Sequence, residues 1–207
     1  MRIKICGLSC AEDVQAAAAA GADALGFVFY PPSKRAVSIE EAAALLSAVP
    51  PFVQSVGLFV NPEAAFVRTV LEKVPLEVLQ FHGQEEAAFC AGFGRRWIKA
   101  VPMQDLPDSA AVAQYCSAYA QADGFLLDAF GAQSSGGSGK VFDWKKIPAM
   151  SKALILAGGL NVENVAAAVK AVRPWAVDVS SGVESAPARK SFAKMQAFIS
   201  QARAAAL

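Results

Sequence analysis

The chain has 207 residues, of which 55% are hydrophobic and 18% charged; this excludes a disordered protein and allows one domain with a sizeable core. Its formal net charge of +1 gives no field that would attract nucleic acid or an anionic membrane. No apolar run reaches the roughly 20 residues of a membrane span, and the first residues lack the apolar stretch of a signal peptide. We therefore expect a cytoplasmic protein that binds neither nucleic acid nor membranes.

The cysteine and histidine content predicts no metal site. The four cysteines, Cys6, Cys10, Cys90 and Cys116, form no CxxC pair, and the chain has one histidine. In a reducing compartment these thiols stay free. Cys6 differs from the other three because it ends a predicted strand.

Short apolar runs of strand length alternate along the chain with segments of helical periodicity. The strands are short and rich in Val, Ile, Leu and Phe, which is typical of strands buried on both faces. The eight predicted strands are Arg2–Cys6, Ala24–Phe29, Phe52–Val60, Val78–Phe81, Trp97–Val101, Gly124–Leu127, Ala153–Ala157 and Ala176–Val179.

The segments between these strands carry helix-start and helix-stop signals. Gly21 closes the first helix, Ser38 can cap the second, and Asn61-Pro62-Glu63 opens the third with a cap, a first-turn proline and an acid. Asn161 can cap the helix before the eighth strand. The other predicted bounds are Ala11–Ala20, Ile39–Ala48, Gln84–Cys90, Ser109–Ala120, Val162–Val172 and Ser191–Ala206, with a short segment, Phe142–Met150, in the sixth position.

This alternation predicts an α/β fold with a parallel sheet, and eight units favour closure. The predicted fold is a (β/α)8 TIM barrel in which residues 1–207 form a single domain. An open doubly wound sheet is the alternative. An open doubly wound sheet would require a glycine-rich turn after the first strand, but the chain has only Cys6-Gly7-Leu8 there.

Two neighbouring loops carry the signal for a phosphate site. Gly158 and Gly159 follow the seventh strand, and Ser180-Ser181-Gly182 follows the eighth, where such barrels bind phosphate. Backbone amides of these small residues can converge on the anion, helped by a short helix after the eighth strand. Gly139, in the loop after the sixth strand, could fold over the same group. The alternative is that the glycines make tight turns and the serines cap helices.

The first strand places Lys4 and Cys6 on the face opposite Ile3 and Ile5. Because helices cover the apolar outer face of a barrel, Lys4 and Cys6 should point inward. A buried lysine needs a partner, and the eighth strand, adjacent after closure, offers Asp178. We predict that Lys4 and Asp178 pair beneath the substrate.

Cys6 and Asp128 are the candidate catalytic groups. Both end predicted strands, where reactive groups of barrels stand. A thiolate at Cys6 can act as a base, and a carboxyl at Asp128 as its acid partner. The alternatives are a buried inert thiol and a carboxylate that caps or pairs in the next loop.

Three further residues are candidates for binding the substrate. Arg35 lies in a proline-stiffened loop after the second strand and could hold a carboxylate, although a solvated charge is the alternative. Gln80 and His82 end the fourth strand. His82 is as suited to positioning the loop as to reacting, so we do not assign it as the base.

Seven motifs in a fixed order carry a resemblance to a known family. They are Lys4-Ile5-Cys6-Gly7-Leu8, Gly26-Phe27-Val28-Phe29 with Ser33-Lys34-Arg35, Leu79-Gln80-Phe81-His82-Gly83, Leu127-Asp128, Gly136-Gly137-Ser138-Gly139 with Phe142-Asp143-Trp144, Ala157-Gly158-Gly159-Leu160, and Asp178-Val179-Ser180-Ser181-Gly182-Val183-Glu184. From residue 2 to at least residue 184 the chain resembles the phosphoribosylanthranilate isomerase family of tryptophan biosynthesis. Leu8, Phe81 and Ser138 depart from the family's commoner residues, but none removes a reacting group.

The resemblance implies an Amadori rearrangement of N-(5-phosphoribosyl)anthranilate to 1-(o-carboxyphenylamino)-1-deoxyribulose 5-phosphate, without cofactor or metal. It implies that Asp128 is the general acid, that Cys6 is the general base, and that Arg35 holds the anthranilate carboxylate. The loops after the seventh and eighth strands would hold the phosphate. Whether the protein is a monomer or a homodimer stays open.

Two other functions compete with this one. Indole-3-glycerol-phosphate synthase shares the fold and the phosphate pocket, but it would call for a longer N-terminal segment and lysine and glutamate at strand ends. A non-catalytic phosphosugar-binding barrel would keep the pocket without the chemistry. Cys6 at the end of the first strand argues against the synthase, and the Cys6 and Asp128 pair argues against the binding barrel.

Overall fold

Eight parallel strands form a closed barrel in the computed structural model, which describes residues 1–129 and 142–207. Each strand pairs with the next along the chain, and the first also pairs with the eighth, so that no edge is left open. This confirms the predicted (β/α)8 barrel. The strands are β1 Arg2–Cys6, β2 Ala24–Val28, β3 Gln54–Phe59, β4 Val78–Phe81, β5 Arg96–Pro102, β6 Gly124–Asp128, β7 Ala153–Leu156 and β8 Ala176–Val179.

Helices follow the strands and cover the outside of the barrel, as the alternation predicts. Turns of 3₁₀ helix at Trp144–Lys146 and Ser181–Val183 occupy the positions after β6 and β8. A two-stranded hairpin, β9 Glu184–Ala186 and β10 Arg189–Lys190, was not predicted. The α-helices are α1 Ala11–Ala19, α2 Ile39–Leu46, α3 Ala64–Lys73, α4 Ala87–Ala91, α5 Ser109–Ser117, α6 Val165–Val172 and α7 Phe192–Ala205.

The pleat of the strands divides the core into an outer and an inner layer. Side chains such as Ile3 and Ile5 join the large cluster between strands and helices, whereas Leu126 and Ile155 belong to a smaller cluster inside the barrel. Within the described residues, no helix has the length and apolar character to cross a membrane.

Two predicted helix starts were wrong. Asn61 does not cap α3; it adopts a left-handed φ of 45°, and its side-chain oxygen accepts the backbone N–H of Gln84, 2.6 Å away. Helix α3 therefore begins at Ala64. The Asn161 side chain accepts the backbone N–H groups of Glu163 and Asn164, so that the chain turns once before α6 begins at Val165.

A buried ion pair fixes the loop that follows β4. Lys99 lies on the helix-covered face of β5, and its Nζ is 2.7 Å from Oε2 of Glu85; both side chains are almost fully buried. Glu85 also accepts the backbone N–H groups of Asn61 and Gly83. The pair thus holds the β3 and β4 loops together, directly after His82.

Replacing Lys99 by methionine should therefore destabilise the fold, because it leaves the Glu85 carboxylate buried without its cation. We expect the free energy of unfolding to fall by about 3–5 kcal/mol, measured by denaturant titration. Lys73→Met is the control, since Lys73 forms an exposed pair with Glu40 at 3.6 Å. Equal, small effects of the two substitutions would contradict this account.

Candidate active site

A buried ion pair joins strands β1 and β8. Lys4 and Asp178 are partners in the β1–β8 register, and Lys4 Nζ donates to Asp178 Oδ1 at 2.8 Å. The side chains are 6% and 10% exposed, so the pair is largely shielded from water. This confirms the predicted pairing of Lys4 with Asp178.

Gly26 provides the space into which Cys6 and Lys4 project. It is the register partner of Cys6 across the β1–β2 pair. A Cβ added at Gly26 would lie 2.8 Å from Cys6 Sγ and 3.1 Å from Lys4 Nζ. The thiol and the ammonium therefore lie together over a position where only glycine fits.

The charges around Cys6 act in opposite directions. Burial raises the pKa of the Cys6 thiol above its ordinary value, whereas Lys4 and Lys190 lower it and Asp178 raises it. The net pKa of Cys6 stays raised. Burial lowers the pKa of Lys4, but Asp178 and Cys6 together raise it by more. The pKa of Lys4 is therefore above its ordinary value, and Lys4 stays charged. Lys4 is thus a permanent cation that favours the thiolate.

Asp128 lies at the end of β6 beside His82. The distance from His82 Nε2 to Asp128 Oδ2 is 3.5 Å, and Gln80 Nε2 is 2.9 Å from His82 Nδ1. With the amide donating to Nδ1, the neutral ring carries its proton on Nε2, which faces Asp128. Gln80 is fully buried, and its Oε1 has no hydrogen-bond partner among the described residues. The structure thus brings Gln80, His82 and Asp128 together in one polar chain.

The two predicted phosphate loops lie next to each other. Gly158 and Gly159 both have positive φ values, 78° and 66°, and a Cβ at Gly158 would contact the backbone nitrogen of Ala129. Gly182 packs against the backbone oxygen of Leu160, which brings the β8 loop onto the β7 loop.

The loop after β8 begins the 3₁₀ turn at Ser181, and Ser180 precedes it. Ser180 Oγ donates to the Cys6 carbonyl at 2.9 Å, which ties this loop to the end of β1. The expected short helix is one turn long, so the loop offers backbone amides rather than a helix dipole. Gly139 lies outside the described residues.

Arg35 is already engaged by a carboxylate of the chain. Its Nε donates to Glu184 Oε1 at 2.6 Å and its Nη2 to Glu184 Oε2 at 2.9 Å. Lys190 Nζ lies 3.0 Å from the same Oε1 and 3.1 Å from the Ser180 carbonyl. Sequence reasoning missed Glu184 and Lys190 as site residues, although Pro187 between them is a turn signal that could have indicated the hairpin.

Within the described part of the chain, no group of three or more His, Cys, Asp or Glu side chains could hold a metal ion.

Residues 3–201 match the family model described as N-(5′-phosphoribosyl)anthranilate isomerase. The chain belongs to this family. A relative of that name from Thiobacillus denitrificans is 53% identical over 99% of this chain and 98% of its own. The family assignment confirms the resemblance and the isomerase function expected from the motifs.

Two solved structures of the phosphoribosylanthranilate isomerase family share the fold. One, in complex with reduced 1-(o-carboxyphenylamino)-1-deoxyribulose 5-phosphate, is 37% identical with a TM-score of 0.83. The other shows monomers of the dimeric enzyme from Thermotoga maritima and is 36% identical, also with a TM-score of 0.83. Each comparison covers 99% of both chains.

The geometry at Gly26 leads to a prediction. In Gly26→Ala the methyl group must displace the Cys6 thiol or the Lys4 ammonium, so we expect kcat to fall by about 100-fold or more. Steady-state kinetics and the unfolding midpoint together measure this. Gly92→Ala is the control, because its nearest contact would be the Phe89 oxygen at 3.3 Å. Wild-type kcat in a folded Gly26→Ala variant would show that the packing of Cys6 does not matter.

Proposed function

We propose that this chain catalyses the Amadori rearrangement of its family with Cys6 as general base and Asp128 as general acid. The observation that carries this proposal is the buried Lys4–Asp178 pair with its cation beside the Cys6 thiol. Strands β7 and β8 separate β6 from β1 in the barrel, so Asp128 and Cys6 approach a substrate at the mouth from different sides.

The first step is opening of the ribose ring. The Asp128 carboxyl gives its proton to the ring oxygen, the C1′–O bond breaks, and the nitrogen lone pair forms a C1′=N bond. The product is a protonated Schiff base with a free hydroxyl. His82, held by Gln80, orients the Asp128 carboxyl for this transfer.

The second step is removal of the C2′ proton. The Cys6 thiolate takes it, the C2′–H electrons form a C1′=C2′ bond, and the C1′=N electrons return to nitrogen. The enolamine then loses its 2′-hydroxyl proton and gains one at C1′, which gives the ketone. Lys4 supports this step by stabilising the thiolate. The acid and the base both belong to the chain, so the proposed steps use no cofactor.

The two ends of the substrate have separate binding groups in this proposal. Arg35 binds the anthranilate carboxylate through charge-assisted hydrogen bonds. The backbone amides at Gly158, Gly159 and Ser180-Ser181-Gly182 bind the phosphate. The name of the ligand bound to the homologous structure includes both a carboxyl group and a phosphate group.

We also propose that residues 1–207 act as one domain in the cytoplasm. Support for the domain comes from the single barrel, which runs from β1 to α7. The partner is the small phosphosugar substrate rather than nucleic acid or a membrane. The protein acts as a monomer or a homodimer, since the structure of the Thermotoga maritima relative shows monomers generated from a dimeric enzyme.

Substituting the two reacting groups tests the proposal. Cys6→Ser and Asp128→Asn should each lower kcat by about 100-fold to 10,000-fold while the protein still binds the reduced product analogue. Turnover is followed by loss of the substrate's anthranilate fluorescence. Cys10→Ser and Asp108→Asn are matched controls at helix caps, and both should retain wild-type activity. Full activity in Cys6→Ser or Asp128→Asn would refute the assigned role.

A further inference from the structure

Glu184 lies between two cations at the edge of the site. Both oxygens of its carboxylate accept from Arg35, and one also accepts from Lys190. The Glu184 side chain is 8% exposed and that of Lys190 is fully buried. The reaction proposed above assigns no step to either Glu184 or Lys190.

Glu184 is the fixed member of its pair with Arg35. It is the register partner of Lys190 in the β9–β10 hairpin, and its carbonyl accepts from Lys194 Nζ at 2.7 Å. The backbone N–H of Lys190 donates to Asp13 Oδ2 at 2.8 Å, which fastens the hairpin to α1. Arg35, by contrast, extends from the loop between β2 and α2.

The guanidinium of Arg35 has two edges that can each bind a carboxylate in bidentate fashion. Glu184 takes the edge formed by Nε and Nη2. Among the described residues, the hydrogen bonds of the Arg35 guanidinium come from Nε and Nη2 alone. The edge that carries Nη1 can therefore bind a ligand. Arg35, Lys190 and Glu184 together carry one net positive charge, which matches a single substrate carboxylate.

The stem of Arg35 lies against the residue that follows the proposed base. Gly7 has a positive φ of 76°, and a Cβ there would collide with Cδ of Arg35. The direction of the guanidinium is thus set at two points, by the Gly7 backbone beneath its stem and by Glu184 at its head.

We propose that Glu184, braced by Lys190, is a positioning residue that orients Arg35 for the anthranilate carboxylate of the substrate. This inference rests on the proposed function, in which Arg35 is the ligand of that carboxylate. Loss of Glu184 frees the long Arg35 side chain and weakens substrate binding more than it slows the chemistry. A Glu184 that merely competed with the substrate for Arg35 would act in the opposite direction, since its removal would tighten binding.

The test compares two substrates in Glu184→Gln. For phosphoribosylanthranilate we expect KM to rise by about tenfold or more, with a much smaller change in kcat. For the adduct of aniline and ribose 5-phosphate, which lacks the carboxylate, we expect KM to match that of the wild type. Glu72→Gln, an exposed substitution on α3, is the control and should change neither KM. If Glu184→Gln does not fold, Glu184→Asp is tested in the same way, because it keeps the charge on a side chain that is one methylene shorter.

Arg35→Met separates failure of this inference from failure of the proposed function. It should raise KM for the carboxylate substrate only, and adding Glu184→Gln to it should raise KM no further. If Arg35→Met affects both substrates equally, Arg35 is not the carboxylate ligand and the proposed function is wrong at this point. If Arg35→Met discriminates but Glu184→Gln does not, or lowers KM, the positioning role is overturned while the ligand role stands.

Discussion

The ion pair between Lys4 and Asp178 is the constraint on which the site depends. It joins the first and last strands at the seam where the barrel closes, and it is shielded from water. Two charges buried in this way are costly to desolvate, and an apolar pair of equal volume could close the same seam. The pair lies beside the Cys6 thiol, where the Lys4 ammonium offsets part of the rise in the Cys6 pKa that burial causes.

The residue proposed to bind the substrate carboxylate, Arg35, is connected to the proposed base, Cys6, through hydrogen bonds. Arg35 contacts Glu184, Glu184 contacts Lys190, and Lys190 contacts Ser180, whose hydroxyl donates to the Cys6 carbonyl. Gly7 makes these approaches possible, since a side chain there would collide with Cδ of Arg35 and lie 3.1 Å from Ser180 Oγ. The proposed carboxylate ligand and the proposed base are therefore joined by one chain of hydrogen bonds that ends at β1.

The barrel and the inward ion pair were predictable because both follow from short-range patterns plus closure. The strand alternation sets which side chains face inward, and closure makes β8 the neighbour of β1, so Asp178 is the partner expected for Lys4. The Arg35–Glu184 contact was not predictable, because Glu184 begins a hairpin of seven residues that lies outside the repeating strand–helix pattern. Asn61 misled the helix prediction because its side chain serves a loop 23 residues away rather than its own helix.

The most direct test is the pKa of the Cys6 thiol, measured from thiolate absorbance during a pH titration, as the difference between each protein and its Cys6→Ser derivative. Lys4→Met removes the cation that lowers this pKa, so the pKa should rise above the wild-type value and the thiolate should form only at higher pH. The double variant Lys4→Met with Asp178→Asn, which leaves no charge unpaired, should shift it in the same direction, and the exposed Lys34→Met should not. An unchanged or lower Cys6 pKa in folded Lys4→Met would contradict the account.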